Sequence, residues 1–306
     1  MAQTEKNQTE RNIVSDFPDS MAAASPKSVG ENRAVCPVCP HHCSLAEGQY
    51  GRCRARKNEN GTIISTSYGK LTALMLDPIE KKPLRRFHPG SQILSVGSFG
   101  CNLSCPFCQN HEISMCSESE TGCRRMSPEE LADLAEQCKM YGNIGVAFTY
   151  NEPLIGYEYV RDTARLVHAR GMKNVLVTNG TAELSVLDEI LPYIDTMNID
   201  LKGFSEGYYK KLGGDLKTVK HFIERAAGSC HVELTTLIVP GENDSEEEME
   251  QEAQWIASIN PDIPLHVTRF FPRYKMTDRA ATDVEKIYRL KAVAEKHLKW
   301  VYAGNC

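Results

Sequence analysis

The sequence lacks any long apolar run and any excess of positive charge. No apolar stretch approaches the ~20 residues that a membrane-spanning helix needs, so we expect no membrane partner. The formal net charge is −5, whereas nucleic-acid-binding domains usually carry a basic surface, so we expect no nucleic-acid partner. With 41% hydrophobic and 25% charged residues, the composition is that of a globular chain with ample side chains for a core.

The N-terminal stretch also lacks the apolar segment of a secretory signal peptide. Residues 1–33 are polar and rich in Ser, Asn and Glu, which predicts a disordered tail because such a composition buries too little apolar surface to fold. Without a signal peptide we expect a cytoplasmic protein, and disulfides are rare in that reducing compartment. The twelve cysteines therefore need another explanation, and clustered cysteines indicate metal binding.

The first cysteine cluster follows the spacing C-x2-C-x3-C-x9-C and consists of Cys36, Cys39, Cys43 and Cys53. Four thiolates form a closed ligand set, which is typical of a structural metal site. The spacing does not choose between zinc and a second iron–sulfur cluster. Both alternatives stay open for this second site.

The other cysteine cluster has no fourth member. The stretch "GCNLSCPFCQN" (100–110) places Cys101, Cys105 and Cys108 at the spacing C-x3-C-x2-C. Three thiolates can hold a [4Fe–4S] cluster by three irons and leave the fourth iron open, and an open coordination position is typical of a catalytic metal site. A ligand with an amine and a carboxylate could chelate that iron. S-adenosylmethionine offers both groups at its methionine end, and the resulting radical chemistry would belong to the cofactor.

From residue 93 onward, short apolar runs alternate with helical patterns, which predicts a parallel α/β sheet. Six main repeats and a short one are too few for a closed eight-fold barrel, so we predict an open, partial (β/α)6-type barrel, with a doubly wound open sheet as the alternative. The predicted strands are 93–97, 145–149, 173–178, 196–200, 231–239, 264–270 and 299–303. The predicted helices are 127–142, 153–170, 182–191, helical material that follows residue 200 to about residue 227, 244–259 and 283–298.

Polar side chains follow the ends of several predicted strands. "YNEP" (150–153) contains Asn151 and Glu152, and the next strands along the chain are followed by Asn179 and by Asp200 with Lys202. His266 and Arg269 lie near the end of a later strand. Because ligands bind at the carboxyl ends of parallel strands, we expect these side chains to line one rim together with the three-cysteine loop.

At these residues the sequence resembles a known family. C-x3-C-x2-C after the first barrel strand, with the aromatic Phe107 before the last cysteine, is the signature of radical S-adenosylmethionine (radical SAM) enzymes. The stretches "TYNEPLIGYEY", "LVTNG", "MNIDLKGFSEGYYKKL" and "RFFPRYKMTD" are similar to the AmmeMemoRadiSam system group, close to pyruvate formate-lyase activating enzymes. The similarity covers about residues 36–306, which divides the chain into the tail (1–33), a cysteine-rich segment with a connector (34–90) and a radical SAM core (91–306).

The resemblance also implies roles for single residues. It implies that Cys101, Cys105 and Cys108 bind the [4Fe–4S] cluster and that Phe107 lies beside the adenine of S-adenosylmethionine. "YNEP" stands where the superfamily has "GGEP", a segment that contacts the methionine amine. Glu152 keeps the glutamate of that segment and is the firmer counterpart. Asn151 replaces a glycine and is the weaker one. Asn179 corresponds to a position that offers polar groups to the ribose. Asp200 and Lys202 match a segment that, in the activating enzymes, lies near the methionine carboxylate of S-adenosylmethionine.

The implied function is a radical SAM enzyme, in which the cluster cleaves S-adenosylmethionine to a 5′-deoxyadenosyl radical that abstracts hydrogen from an unidentified substrate. The first alternative is an activating enzyme that works on a glycyl-radical enzyme. A more remote alternative is a non-catalytic iron–sulfur or zinc protein, although such a protein would not need the polar strand ends. Expected partners are an electron donor such as flavodoxin or ferredoxin, and a protein substrate or system partner encoded nearby.

Overall fold

The computed structural model describes residues 32–306, so the predicted tail falls almost wholly outside the described residues. The strands of this part of the chain are β1 (Ala34–Val35), β2 (Ser44–Leu45), β3 (Arg56–Glu59), β4 (Thr62–Ser65), β5 (Lys70–Leu71), β6 (Ala73–Pro78), β7 (Gln92–Gly97), β8 (Arg124–Arg125), β9 (Asn143–Phe148), β10 (Lys173–Thr178), β11 (Thr196–Asp200), β12 (His231–Ile238), β13 (Leu265–Arg269) and β14 (Val301–Gly304). The α-helices are α1 (His111–Ser114), α2 (Pro128–Gln137), α3 (Tyr157–Ala169), α4 (Leu184–Ile190), α5 (Glu206–Leu212), α6 (Leu216–Ala227), α7 (Glu246–Ile259) and α8 (Val284–Ala294).

The main sheet has eight strands in the order β14-β13-β12-β11-β10-β9-β7-β6. Every neighbouring pair is parallel except β6 with β7, which is antiparallel. From β7 onward the spatial order follows the chain order, so each crossover steps to the next strand in the same direction. A doubly wound sheet reverses direction at a switch point, and this sheet does not. The prediction of an open, partial barrel is therefore confirmed.

The helix starts follow the capping rules. Ser127 caps α2, and its side chain and that of Glu130 form a capping box, which satisfies backbone donors that the helix itself leaves free. The helix is shorter than predicted, because regular α-structure ends at Gln137 and a 3₁₀ turn continues to Tyr141. Gly142 then takes a left-handed conformation, with φ of 84°, and leads directly into β9.

Strand β6 and the connector that follows it were not predicted as part of the sheet. The connector, residues 79–91, runs from the edge strand β6 across the amino-terminal end of the partial barrel. Leu84 is completely buried there in a cluster with Ile93, Ala147 and Val175 from three successive strands. The connector therefore covers this end of the barrel with a hydrophobic plug.

Glu233, on strand β12, holds the connector in place through the connector's backbone. Its buried carboxylate accepts hydrogen bonds from the backbone N–H groups of Arg85, at 3.0 Å, and of Arg86, at 2.7 Å. Its oxygens also lie 3.0 Å from Nε2 of His231 and 2.6 Å from Nε2 of His266. Although burial alone would raise it, these hydrogen bonds hold the pKa of Glu233 at about 2, so the carboxylate is ionised.

Replacing Leu84 by Ala tests this plug. The change removes a fully buried side chain and leaves a cavity, so we expect the free energy of unfolding to fall by about 2–5 kcal/mol. Met75→Ala, on β6 but 59% exposed, is the matched control and should change it by less than about 0.5 kcal/mol. Chemical denaturation of both variants measures the difference, and equal stability of the two would contradict the plug.

Candidate functional site

A cavity of about 470 Å³ opens at the carboxyl ends of the barrel strands. It is the space expected for ligands in a parallel α/β fold. The structure brings together around it all nine residues for which the sequence predicts a role at the three-cysteine site: Cys101, Cys105, Phe107, Cys108, Asn151, Glu152, Asn179, Asp200 and Lys202.

Asn151 holds the start of the three-cysteine loop. Its side-chain oxygen accepts a hydrogen bond of 2.9 Å from the Ser98 N–H, and its Nδ2 donates to the carbonyl oxygens of Phe99 and Gly100, at 3.2 and 3.1 Å. Gly100 has φ of 83°, and a Cβ at this position would lie 2.3 Å from the Cys53 carbonyl oxygen. Only glycine accommodates both the conformation and the close approach.

The three thiols lie in an apolar setting. Burial raises the pKa of Cys101 above its ordinary value and that of Cys105 to about 11, so these thiols keep their protons until a metal displaces them. Within residues 32–306, no three Cys, His, Asp or Glu side chains converge on one point that could hold a single metal ion. A [4Fe–4S] cluster is wider, because each thiolate binds a different iron. Three thiolates from one loop would therefore each bind a different iron of such a cluster.

Glu152 is buried, with 2% of its surface exposed, beside the thiols. Its carboxylate accepts hydrogen bonds from the Thr178 hydroxyl at 2.8 Å, the Asn179 N–H at 2.8 Å and the Leu154 N–H at 3.0 Å. Burial raises its pKa to about 7 in spite of these bonds. The side chain is thus held rigidly at the cavity wall, where it can accept a cationic or hydrogen-bonding ligand.

Asn179 and Asn102 form an amide pair behind the loop. Nδ2 of Asn179 donates a 3.0 Å hydrogen bond to Oδ1 of Asn102 and lies 3.7 Å from the Cys101 sulfur. Asn102 in turn donates to the Thr181 carbonyl oxygen at 2.6 Å. The pair joins the cysteine loop to the end of β10.

Lys202 forms an ion pair with Asp200, with Nζ 2.6 Å from Oδ2. Burial disfavours its charge, but Asp200 and the neighbouring Cys105 hold the pKa of Lys202 above its ordinary value. The ammonium stays charged at the cavity wall and can bind an anionic group.

Phe107 packs with its ring edge toward Phe270, with the ring centroids 6.4 Å apart and the planes at 88°. It is buried in a small cluster that also contains Leu103 and Met276. The ring borders the cavity next to Cys105 and Cys108, so it offers an apolar surface beside the thiols.

Tyr150 is a cavity residue for which the sequence gave no role. Its φ of 72° is rare for a non-glycine residue and costs energy that other contacts must offset. Its hydroxyl donates a 2.6 Å hydrogen bond to Asp77, which also accepts one of 2.8 Å from Lys82. The Lys82 ammonium lies 4.8 Å from the centre of the Tyr150 ring. Because Asp77 lies on β6 and Lys82 on the connector, both far from Tyr150 in the sequence, no local sequence signal points to this trio.

His266 and Arg269 both lie on β13, but only one of them reaches the cavity. His266 lines it, next to Glu233. Arg269 instead donates to the Thr282 carbonyl oxygen at 2.6 Å and lies over the Phe271 ring. The expectation for Arg269 was wrong because side chains alternate along a strand, and residue 269 falls on the opposite face from 266.

The first cysteine cluster also comes together. The Cys36 N–H donates a 3.0 Å hydrogen bond to the Cys43 carbonyl oxygen, and burial raises the pKa of the thiols of Cys36, Cys39 and Cys53, the second to about 11. The four cysteines lie near one another, next to the three-cysteine loop.

In residues 32–306, no helix is long and apolar enough to span a membrane.

Comparison with known proteins gives concordant matches. The profile of the radical SAM superfamily matches residues 95–253. Uncharacterized protein MJ0808 of Methanocaldococcus jannaschii is 38% identical over 91% of this chain and 83% of its own length. The pyruvate formate-lyase-activating enzyme of Clostridium pasteurianum is 27% identical over 65% of this chain and 87% of its own. The fold is similar to that of Streptococcus suis SuiB bound to S-adenosylmethionine, with a TM-score of 0.54, 14% identity and coverage of 70% of this chain and 52% of SuiB.

Asp77→Asn tests the trio around Tyr150. It leaves the ammonium of Lys82, which is 2% exposed, without its carboxylate, so we expect a loss of about 3–5 kcal/mol in the free energy of unfolding at neutral pH. Asp77→Asn with Lys82→Met removes both charges and should recover part of the loss.

The same pair gives a pH dependence. Burial would raise the pKa of Asp77, but hydrogen bonds from Lys82 and Tyr150 hold it below its ordinary value of 3.8. The stabilisation is therefore fully present above about pH 4 and disappears as the pH falls further. In unfolding curves recorded from pH 7 down to pH 3, the difference in the free energy of unfolding between parent and Asp77→Asn should narrow below about pH 4; a constant difference would contradict the ion pair.

Proposed function

The chain belongs to the radical SAM superfamily, and we propose that Cys101, Cys105 and Cys108 are the thiolates that hold its [4Fe–4S] cluster. The superfamily consists of enzymes that use this cluster with S-adenosylmethionine, so the predicted enzyme class and cofactors are confirmed. When bound, the two cofactors supply reductive cleavage of S-adenosylmethionine and a 5′-deoxyadenosyl radical that abstracts hydrogen. The assignment of the thiolates rests on one observation, their joint position at the cavity mouth after β7.

We assign the S-adenosylmethionine contacts to the polar rim of the cavity. Glu152 is proposed to face the methionine amine and Lys202, oriented by Asp200, the carboxylate. Support comes from the charge of Lys202 and from the rigid hold on Glu152. Phe107 offers its ring to the adenine, and Asn179 is proposed near the ribose.

Asn151 has a different proposed role. Both ends of its amide are occupied by the backbone of residues 98–100. We propose that it orients the cluster loop and makes only a weak contact with S-adenosylmethionine.

The finer assignment is membership of the AmmeMemoRadiSam system group, which the sequence segments named above support. The substrate is unidentified. A glycyl-radical activating enzyme is the second candidate, favoured by the similarity to the pyruvate formate-lyase-activating enzyme. Incubation with glycyl-radical enzymes and with proteins encoded nearby separates the two, because only an activating enzyme produces a glycyl-radical spectrum in its partner.

We further propose a division into a tail (1–33), a cysteine-rich segment with its connector (34–90) and a core (91–306). Strand β6 joins the second segment to the core sheet. Radical SAM enzymes need a reductant, and ferredoxin or flavodoxin in the cytoplasm is the proposed donor. SuiB has been solved with its precursor peptide SuiA, and a protein or peptide substrate is one proposal for this chain too.

Anaerobically reconstituted protein, given dithionite and S-adenosylmethionine, should release 5′-deoxyadenosine, because a cluster held by Cys101, Cys105 and Cys108 would leave one iron for the cofactor, which Glu152 and Lys202 would help to bind. Chromatography of the quenched reaction measures the product, and Cys105→Ala is the inactive control. Product no higher than this control from cluster-replete protein, with nearby partners also present, would argue against the proposed site.

Lys202→Ala should weaken S-adenosylmethionine binding. Loss of a charge-assisted hydrogen bond costs about 1.5–3 kcal/mol, which is roughly a ten- to hundredfold rise in the dissociation constant. The cluster absorbance should persist, because Lys202 does not bind iron. Lys210→Ala, at an exposed position on α5, is the matched control. Calorimetric titration that finds parent-like affinity in Lys202→Ala would remove Lys202 from the site.

A further inference from the structure

A tight turn at residues 273–276 contacts the three-cysteine loop. Arg273 and Met276 pair across the turn, with N–H to O=C distances of 3.1 and 3.0 Å between nitrogen and oxygen. The N–H of Lys275, at the tip, donates a 2.9 Å hydrogen bond to the carbonyl oxygen of Pro106, which belongs to the loop. One backbone hydrogen bond therefore connects the tip of the turn to the loop that carries the proposed cluster ligands.

Two side chains of the turn pack on the same loop. Met276 is buried in one apolar cluster with Phe107. The Tyr274 ring stacks on the imidazole of His111, with the ring centroids 4.4 Å apart and the planes at 21°. Nδ1 of His111 lies 3.3 Å from the Cys108 carbonyl oxygen. The turn is thus held against the loop by side chains as well as by its backbone.

The turn contacts the loop away from the cavity. Phe107 and Cys108 line the cavity. Among the residues that the structure describes, Pro106 and the turn are not part of this lining. A substrate has to reach the cavity, where S-adenosylmethionine is proposed to bind. A partner protein on the turn can therefore serve the proposed cluster by delivering an electron, for which contact with the cavity is not needed.

The outer side of the turn is positively charged, although the whole chain carries −5. Arg273 and Lys275 are both exposed, and within residues 32–306 neither forms an ion pair with a carboxylate. Nζ of Lys275 lies 5.1 Å from the centre of the Tyr274 ring, which keeps this charge on the turn. Phe271, which is 45% exposed, adds apolar surface just before it. Free cations beside an apolar side chain match an acidic protein partner.

We propose that the 273–276 turn, together with Phe271, is the docking surface for an acidic protein that carries single electrons. Arg273 and Lys275 bind carboxylates of this carrier. The docking surface presupposes the proposed function, since the electron is of use only to a catalytic cluster at the three-cysteine loop. In each transfer the reduced carrier loses one electron and the cluster gains it. No bond forms or breaks, and no proton moves.

Charge reversal tests the surface, with reduced ferredoxin and reduced flavodoxin as the two probes. Arg273→Glu with Lys275→Glu should lower 5′-deoxyadenosine formation driven by the more effective probe by about tenfold at low salt, because interface charges mainly set association rates. The rate with dithionite, a small reductant that needs no docking surface, should not change. Arg165→Glu with Arg289→Glu, at exposed positions on α3 and α8, gives the same change in net charge and is the matched control.

The comparison of reductants separates failure of the docking surface from failure of the proposed function. A probe-driven rate that falls no further in the Arg273→Glu, Lys275→Glu variant than in the control overturns the docking surface. Turnover of the parent protein with dithionite but with neither probe overturns it as well. If the parent makes no 5′-deoxyadenosine even with dithionite, the proposed function itself fails.

Cross-linking with a carbodiimide gives a readout that does not depend on activity. The reagent joins a lysine amine to a carboxylate that touches it, so mass spectrometry of the digested complex should find Lys275 joined to an acidic residue of the probe. Lys275→Arg keeps the positive charge but has no amine, so this variant should lose the cross-link and keep the probe-driven rate. Cross-links of the parent protein that form at other lysines and not at Lys275 would overturn the docking surface.

Discussion

The loops that leave the sheet carry backbone groups that no strand can pair, and side-chain amides satisfy them. Buried backbone donors and acceptors must find partners, and Asn151 supplies three of them for residues 98–100. Asn102 and Asn179 continue the same network to the end of β10. The position of the cysteine loop, and with it the geometry of the site, depends on these amides.

The same network explains how the carboxyl group of Glu152 can be buried. Its carboxylate replaces water with three hydrogen bonds from Leu154, Thr178 and Asn179. The strand ends of β9 and β10 are thereby joined into one rigid wall. A wall of this kind costs no reorganisation when a ligand binds, which is the advantage of a preorganised site.

The sequence predicted the repeating part of the fold well, because hydrophobic periodicity and capping are local signals. Strands β10 and β11 have the predicted limits, and the polar strand ends meet as expected. The connector was missed, since its partners Glu233 and Asn198 are more than a hundred residues away. Tyr150 was missed as a cavity residue because its partner Asp77 is also distant in the sequence. Arg269 was misplaced because neighbouring side chains on a strand point to opposite faces, so the face of a residue depends on its exact position along the strand.

The plug of residues 79–91 determines how ligands enter and leave the cavity. Leu84 and the Glu233-bound backbone cover the amino-terminal end of the barrel, while the cysteine loop and the polar rim lie at the opposite end. Any two ligands that share the cavity then use one opening. The ligand that lies deeper has to arrive first and depart last, so the shape of the barrel itself would impose a compulsory order of binding and release.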